Sequence, residues 1–237
     1  MSEEEPLNYF QSKGWQNYLK KTKNLSVLIL AVSGIFITFN WPYGAVLLII
    51  GLSSVMSYCF FKNLGQKPIM LVLSVCWGIF LMGVEFKLMH WPWANMLLLI
   101  GGVGAMIQSL LSMLVPDEVA DSTNGIFDSK TFKNVMKYAA GLSKAVAIIG
   151  IVLLSFRWSG ANEILIVAFS SLALTYLLGC LGASTLGQKI HGVGWSVSLM
   201  GLVFVWFEWP FYGYILPLGC VLLIIHSLLA ALAAIED

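Results

Sequence analysis

Residues 83–101 read GVEFKLMHWPWANMLLLIG. Two apolar runs meet there at Trp91-Pro92, with Gly83 and Gly101 at their outer ends. Proline at the first position of a helix lacks only an N–H that has no intrahelical partner, so the pair predicts one helix ending and the next beginning almost without a loop. The pattern returns as GIFITFNWPYGAVLLIIG at 34–51, IVLLSFRWSGANEILIVA at 151–168 and LVFVWFEWPFYGYILPLG at 202–219. Aligned on Trp41, Trp91, Trp158 and Trp209, Pro follows in three copies (Pro42, Pro92, Pro210), and Ser159, suited to capping a helix start, follows in the other. Ten residues after the Trp come Gly51, Gly101, Ala168 and Gly219; eight before it come Ser33, Gly83, Gly150 and Gly201. Four matching registers point to internal duplication of a helical hairpin.

The rest of the chain agrees. Of its 237 residues 59% are hydrophobic and only 11% charged, and the mean hydropathy is +0.85. A soluble domain carries about a quarter charged residues, so this chain cannot cover a globule with a water-compatible surface. The reading is an all-α polytopic membrane protein in contact with the lipid bilayer. With 13 Lys+Arg against 12 Asp+Glu there is no net field to recruit nucleic acid. Cys59, Cys76, Cys180 and Cys220 have no metal or redox spacing and read as small apolar fillers. Against the ~20 apolar residues that a spanning helix needs, eight stretches qualify, the first short and the sixth long: 25–40, 42–61, 68–90, 92–115, 139–157, 159–185, 190–208 and 210–235. They group as a cytoplasmic amphipathic N-terminal segment (1–24, with an interfacial helix over 6–23), a first two-hairpin half (25–115), a polar cytoplasmic linker (116–137) and a second half (138–237). Small-xxx-small faces at Gly101/Ala105/Ser109, Gly179/Ala183 and Gly194/Ser198 predict close helix contacts.

Eleven of the thirteen basic residues lie on the side of the termini and long connections; only Lys87 and Arg157 lie near the Trp turns. The positive-inside rule then puts both termini in the cytoplasm. The residue before each Trp is polar (Asn40, His90, Arg157, Glu208), and Glu85, Lys87 and Glu163 lie within two turns of that level. These seven read either as an ionic layer that binds an ion, ligand or partner, or as snorkelling and pairing that hold the hairpins in register. His191, His226 and Gln108 read as single helix-contact residues. No GxSG, HExxH or aspartyl pair is present and no Asp lies inside a span, so the expectation is a non-enzyme with no cofactor and no metal.

The stretch Gly83-Val84-Glu85-Phe86-Lys87-Leu88-Met89-His90-Trp91-Pro92, followed by Leu98-Leu99-Ile100-Gly101, resembles the transmembrane hairpin of the GldL family, part of the gliding-motility and type 9 secretion motor of Bacteroidota. Lys87, His90 and Gly101 match that family's hairpin pattern. The family's proteins have two spans and a long cytoplasmic tail, and the glutamate implicated in their proton-driven work falls at Ala105 here, so proton coupling is not implied. The resemblance implies a relative that keeps the packing unit as an accessory subunit or scaffold beside other inner-membrane subunits. A small-molecule or ion transporter or channel is the alternative, and a membrane enzyme acting on lipid is a third.

Overall fold

The computed structural model describes residues 12–62, 68–114, 130–183 and 185–236. Eight long helices follow one another among these residues: α1 (Lys13–Thr38), α2 (Gly44–Lys62), α3 (Pro68–Leu88), α4 (Ala94–Leu114), α5 (Lys130–Ser155), α6 (Ala161–Gly179), α7 (Leu186–Trp206) and α8 (Tyr212–Glu236), with a short 3₁₀ turn at Cys180–Gly182. Each packs against its sequence neighbours, and α8 packs against α1. The bundle is therefore a closed ring. The junction between α4 and α5 is packed as closely as that between α6 and α7. Small residues make that junction tight: a Cβ on Gly102 would lie 3.0 Å from Val152, and one on Gly141 would lie 2.7 Å from Met113.

Among the described residues seven helices are long and apolar enough to cross a membrane, and α7 is not among them. Gln188, Lys189 and His191 occupy its first turns, and three glycines dilute the remainder. No residue from Ile190 to Phe204 is exposed, because α6 and α8 flank α7 and its face meets α1 in a core of Ala31, Leu216, Cys220, Leu223, Trp195 and Leu202. A helix enclosed by others does not have to be apolar all round. Around the ring, lipid-facing stripes such as Met96, Ile100, Val103 and Ile107 on α4 stay exposed while Leu98 and Ala105 are buried against Phe80 and Ile148.

Two expected boundaries move. The interfacial helix and the first span are one helix: α1 runs unbroken from Lys13, with the Ser12 side chain accepting a hydrogen bond from the Trp15 N–H at its N-cap. An N-cap there satisfies a free backbone donor, and nothing in 13–24 stops the helix. Residues 130–137, expected in the linker, are the first turns of α5. The expected segments 1–11 and 116–129 lie outside the described residues.

Inside the hairpins one register recurs. A Cβ added at Gly83 would lie 2.7 Å from the Leu98 backbone nitrogen, and one at Gly201 would lie 2.6 Å from the Leu216 Cα. At Gly150 it would meet Leu165 at 2.7 Å. Each pair joins the residue eight before the Trp with the residue seven after. Likewise Gly51 faces Leu30, Gly101 faces Phe80 and Gly219 faces Ser198, joining ten after with eleven before. Gly179 departs from expectation. It ends α6 exposed, and a Cβ there would meet nothing within 4 Å, so it makes no small-residue contact. Gly179→Ala is accordingly expected to leave the unfolding temperature in detergent unchanged or slightly higher, by up to about 1 kcal/mol of helix propensity.

Candidate functional site

The four turns share one backbone. Asn40, His90, Arg157 and Glu208 all have positive φ (52°, 57°, 57° and 51°). Their N–H groups donate to the carbonyls of Ile37, Lys87, Leu154 and Val205, and the following Trp N–H groups donate to Phe36, Phe86, Leu153 and Phe204 at 2.8–3.1 Å. This pair of bonds is a Schellman cap, which satisfies the last carbonyls of a helix by turning one residue left-handed. The accompanying apolar contact is present where the partner is aromatic: Phe36–Trp41, Phe86–Trp91 and Phe204–Trp209 meet edge-to-face at 5.1, 4.9 and 4.8 Å. The polar residue before each Trp is therefore a helix terminator, exposed on the turn. Short polar Asn suits the left-handed region best; His, Arg and Glu hold it against a steric cost.

Proline acts two residues earlier than expected. Tyr43, Trp93, Gly160 and Phe211 also have positive φ, and their carbonyls accept the first bonds of the next helices, from Leu47, Leu97, Ile164 and Ile215. Pro42, Pro92 and Pro210 thus precede the N-cap instead of opening the helix, a fixed φ between two left-handed residues. Ser159 makes no cap either. Gly160, with φ of 86° and no side-chain cap bond, takes that place. Three of these left-handed positions carry large aromatics, with Tyr43 74%, Trp93 72% and Phe211 65% exposed. They stand with the four Trp rings as an aromatic collar at the turn end, where a membrane–water interface favours such rings. We expect Glu208→Gly to stabilise the purified protein by about 1 kcal/mol and Gly160→Ala to destabilise it by about the same, read as opposite shifts in unfolding temperature.

The charged residues divide by role. Glu85 is 9% exposed, and its Oε1 accepts a hydrogen bond from the Ser53 hydroxyl of α2 at 2.8 Å. Lys87, two residues on and turned to another face, donates to Asn95 Oδ1 at 2.8 Å and to the Ser155 carbonyl at 3.0 Å. Ser155 is the last residue of α5, where the helix dipole is negative and a lysine is favoured. Helix α3 thus clasps hairpin one through Glu85 and hairpin three through Lys87. His90 Nδ1 lies 3.2 Å from the Lys87 carbonyl, within its own cap. Arg157, Glu163 and Glu208 are exposed. Glu163 sits in the first turn of α6, where a negative charge complements the helix N-terminus. The seven residues share one end of the ring, and among the described contacts only that of His90 with the Lys87 carbonyl joins two of them.

Sequence reading treats His191 and His226 as unrelated single residues, whereas the structure brings their rings to 4.4 Å between centroids. The signal was present in the numbering: they stand eighteen before and seventeen after Trp209, a level pair in the hairpin register. Among the described residues no cluster of three or more His, Cys, Asp or Glu side chains could hold a metal ion. Compared with protein families, curated proteins and solved structures, the chain has no significant match to any of the three.

Proposed function

We propose that this chain is a non-enzymatic scaffold or accessory subunit of a bacterial inner membrane, built from four duplicated hairpins that give eight spans, α7 included, with both termini cytoplasmic. The observation that carries the reading is the use of Glu85 and Lys87 as clasps between neighbouring hairpins, through Ser53 on one side and Asn95 and Ser155 on the other. A charge in the membrane that is engaged in helix-to-helix bonds holds architecture, and a rigid ring with apolar outer stripes is a surface for other membrane subunits. The resemblance of residues 83–101 to the GldL hairpin suggests the setting, an ion-driven envelope motor or secretion assembly of Bacteroidota. The Schellman-capped turn recurring at four tryptophans supports the duplication, and the lysine bias supports the orientation.

A transporter or channel is the second reading, favoured by the closure of α8 on α1. Gentle-detergent purification of the tagged chain from its native host, with mass spectrometry of co-eluting proteins, separates the two. Stoichiometric envelope subunits are expected; a lone monodisperse species overturns the scaffold. Substitution of Glu85, Lys87, Arg157 and Glu208 follows, with loss of partner retention expected for the scaffold and loss of uptake by an intact protein for transport.

A further inference from the structure

Next to the bond between Glu85 and Ser53, the seam of α2 and α3 opens into a cavity of about 320 Å³. Its walls are two stripes, Met56, Ser57 and Phe60 on α2 and Val75, Gly78 and Met82 on α3. Spacings of three and four keep each stripe on one helix face, and one more step toward the turns adds Ser53 to the first and Glu85 to the second. Side chains lean toward the N-terminus of their helix, which carries the Glu85 carboxylate down α3 toward Met82. The Glu85–Ser53 pair thus closes the turn-ward end of the cavity. At the other end stand Phe60 and Phe61, edge to face at 5.6 Å. The walls between are almost wholly apolar, and the Ser57 hydroxyl is engaged by the Ser53 carbonyl at 2.9 Å. Val75 and Phe60, 40% and 39% exposed, flank the opening of the seam toward lipid.

A cavity of this size takes a small molecule. Its walls alone would accept any hydrocarbon, and the carboxylate at its end decides the class. At 1.5 Å per residue, Glu85 lies about 9 Å and Ser53 about 18 Å from their turn tryptophans, so the carboxylate reaches toward the middle of a ~30 Å hydrocarbon layer. A negative charge at that depth is costly until a positive charge or water offsets it, and so is a cation. A carboxylate has roughly four acceptor positions, and the Ser53 bond takes one of them. We propose that the α2–α3 seam binds an apolar cation, a molecule with an ammonium-like charge at one end of an apolar body about 10 Å long, the rise of the seven residues from Ser53 to Phe60. The charge pairs with Glu85, and the body lies between Met56 and Met82 with its far end against Phe60 and Phe61. Flexible thioethers on both walls let the seam fit bodies of different shape. Entry is sideways, from the bilayer in which such amphiphiles concentrate. The site is independent of the scaffold reading, since the ligand uses the carboxylate without displacing the Ser53 bond that clasps hairpins one and two.

The test is titration calorimetry of the full chain in an uncharged detergent with (4-phenylbutyl)trimethylammonium, blanked against detergent alone. The sulfonate with the same phenylbutyl body, of opposite charge, is the control. Saturable binding of the ammonium is expected, and none of the sulfonate. Glu85→Gln keeps an acceptor for Ser53 and should weaken the affinity about tenfold or more, with the unfolding temperature close to wild type. Val75→Trp sets a large ring at the opening and should weaken it roughly fivefold or more with the charge intact. Glu163→Gln, exposed on another hairpin, should bind as wild type. Absence of saturable ammonium binding, equal binding of the sulfonate, or unchanged affinity in either Glu85→Gln or Val75→Trp overturns the proposal. One variant acts through charge and the other through space, so the test stays decisive if either fails to fold.

Discussion

Gly101→Leu should be the most damaging single substitution in the ring. A Cβ alone at this position would stand 2.6 Å from the Phe80 Cα, so the obstacle is backbone and no rotamer change relieves it. The α3–α4 pair must separate, and Phe80, Leu98, Ala105 and Ile148 lose their common core. Overpacking of this kind costs roughly 3 kcal/mol or more, which in a chain of this size lowers the unfolding temperature by about 6–12 °C. Gly51→Leu makes the informative comparison, because the nearest atom there is the Leu30 Cδ2 at 2.7 Å, the far end of a flexible side chain. Thermal unfolding in one detergent should rank Gly101→Leu well below Gly51→Leu. Equal losses would mean that the helix approach at Gly101 is looser than the structure has it.

Ser53→Ala and Lys87→Met should each loosen one seam of α3. Without the Ser53 hydroxyl, the buried Glu85 carboxylate loses the hydrogen bond that it accepts from α2. A buried polar group left short of a partner costs about 1–3 kcal/mol, more when charged. Glu85→Gln retains an acceptor for Ser53 and should be nearly silent, which separates the bond from the charge. Lys87→Met removes two bonds, but the side chain is exposed, so its loss belongs at about 1.5 kcal/mol. Because α3 carries both clasps, the double variant tests whether the seams are coupled: a loss beyond the sum shows that hairpins one, two and three act as a unit. Disulfide trapping between cysteines placed across α2 and α3 reports the same opening directly.

The helix ends at the tryptophans were legible in the sequence because their signals are local. Trp91-Pro92 marks a chain reversal, and Gly83 and Gly101 mark close approach, whatever surrounds them. The caps were half legible. Polar residues before each Trp were visible, but their conformation was not, since His90, Arg157 and Glu208 are uncommon choices for a left-handed position and Asn40 alone hints at one. The same holds for Pro92, whose preference for a helix start is real but is overridden when Trp93 takes the N-cap. Ring closure was illegible, because it joins residues such as Ala31 and Cys220 that no spacing relates. The histidine pair lies between: arithmetic on Trp209 places His191 and His226 at one level, but only the packing of α7 on α8 shows that both face inward to each other.

The contact of α8 with α1 also sets a clock. The face of α1 that carries Ala31 finds Leu216, Cys220 and Leu223 only when the last helix exists. Translation at about 5–20 residues per second puts roughly 10–35 s between the end of α1 and the start of α8. Throughout that interval the nascent chain is an open crescent with two unsatisfied rims, one at each end. Shielding of the first rim by the insertion machinery, and the speed with which the final hairpin arrives, then govern the yield of closed rings over chains paired edge to edge with a neighbour.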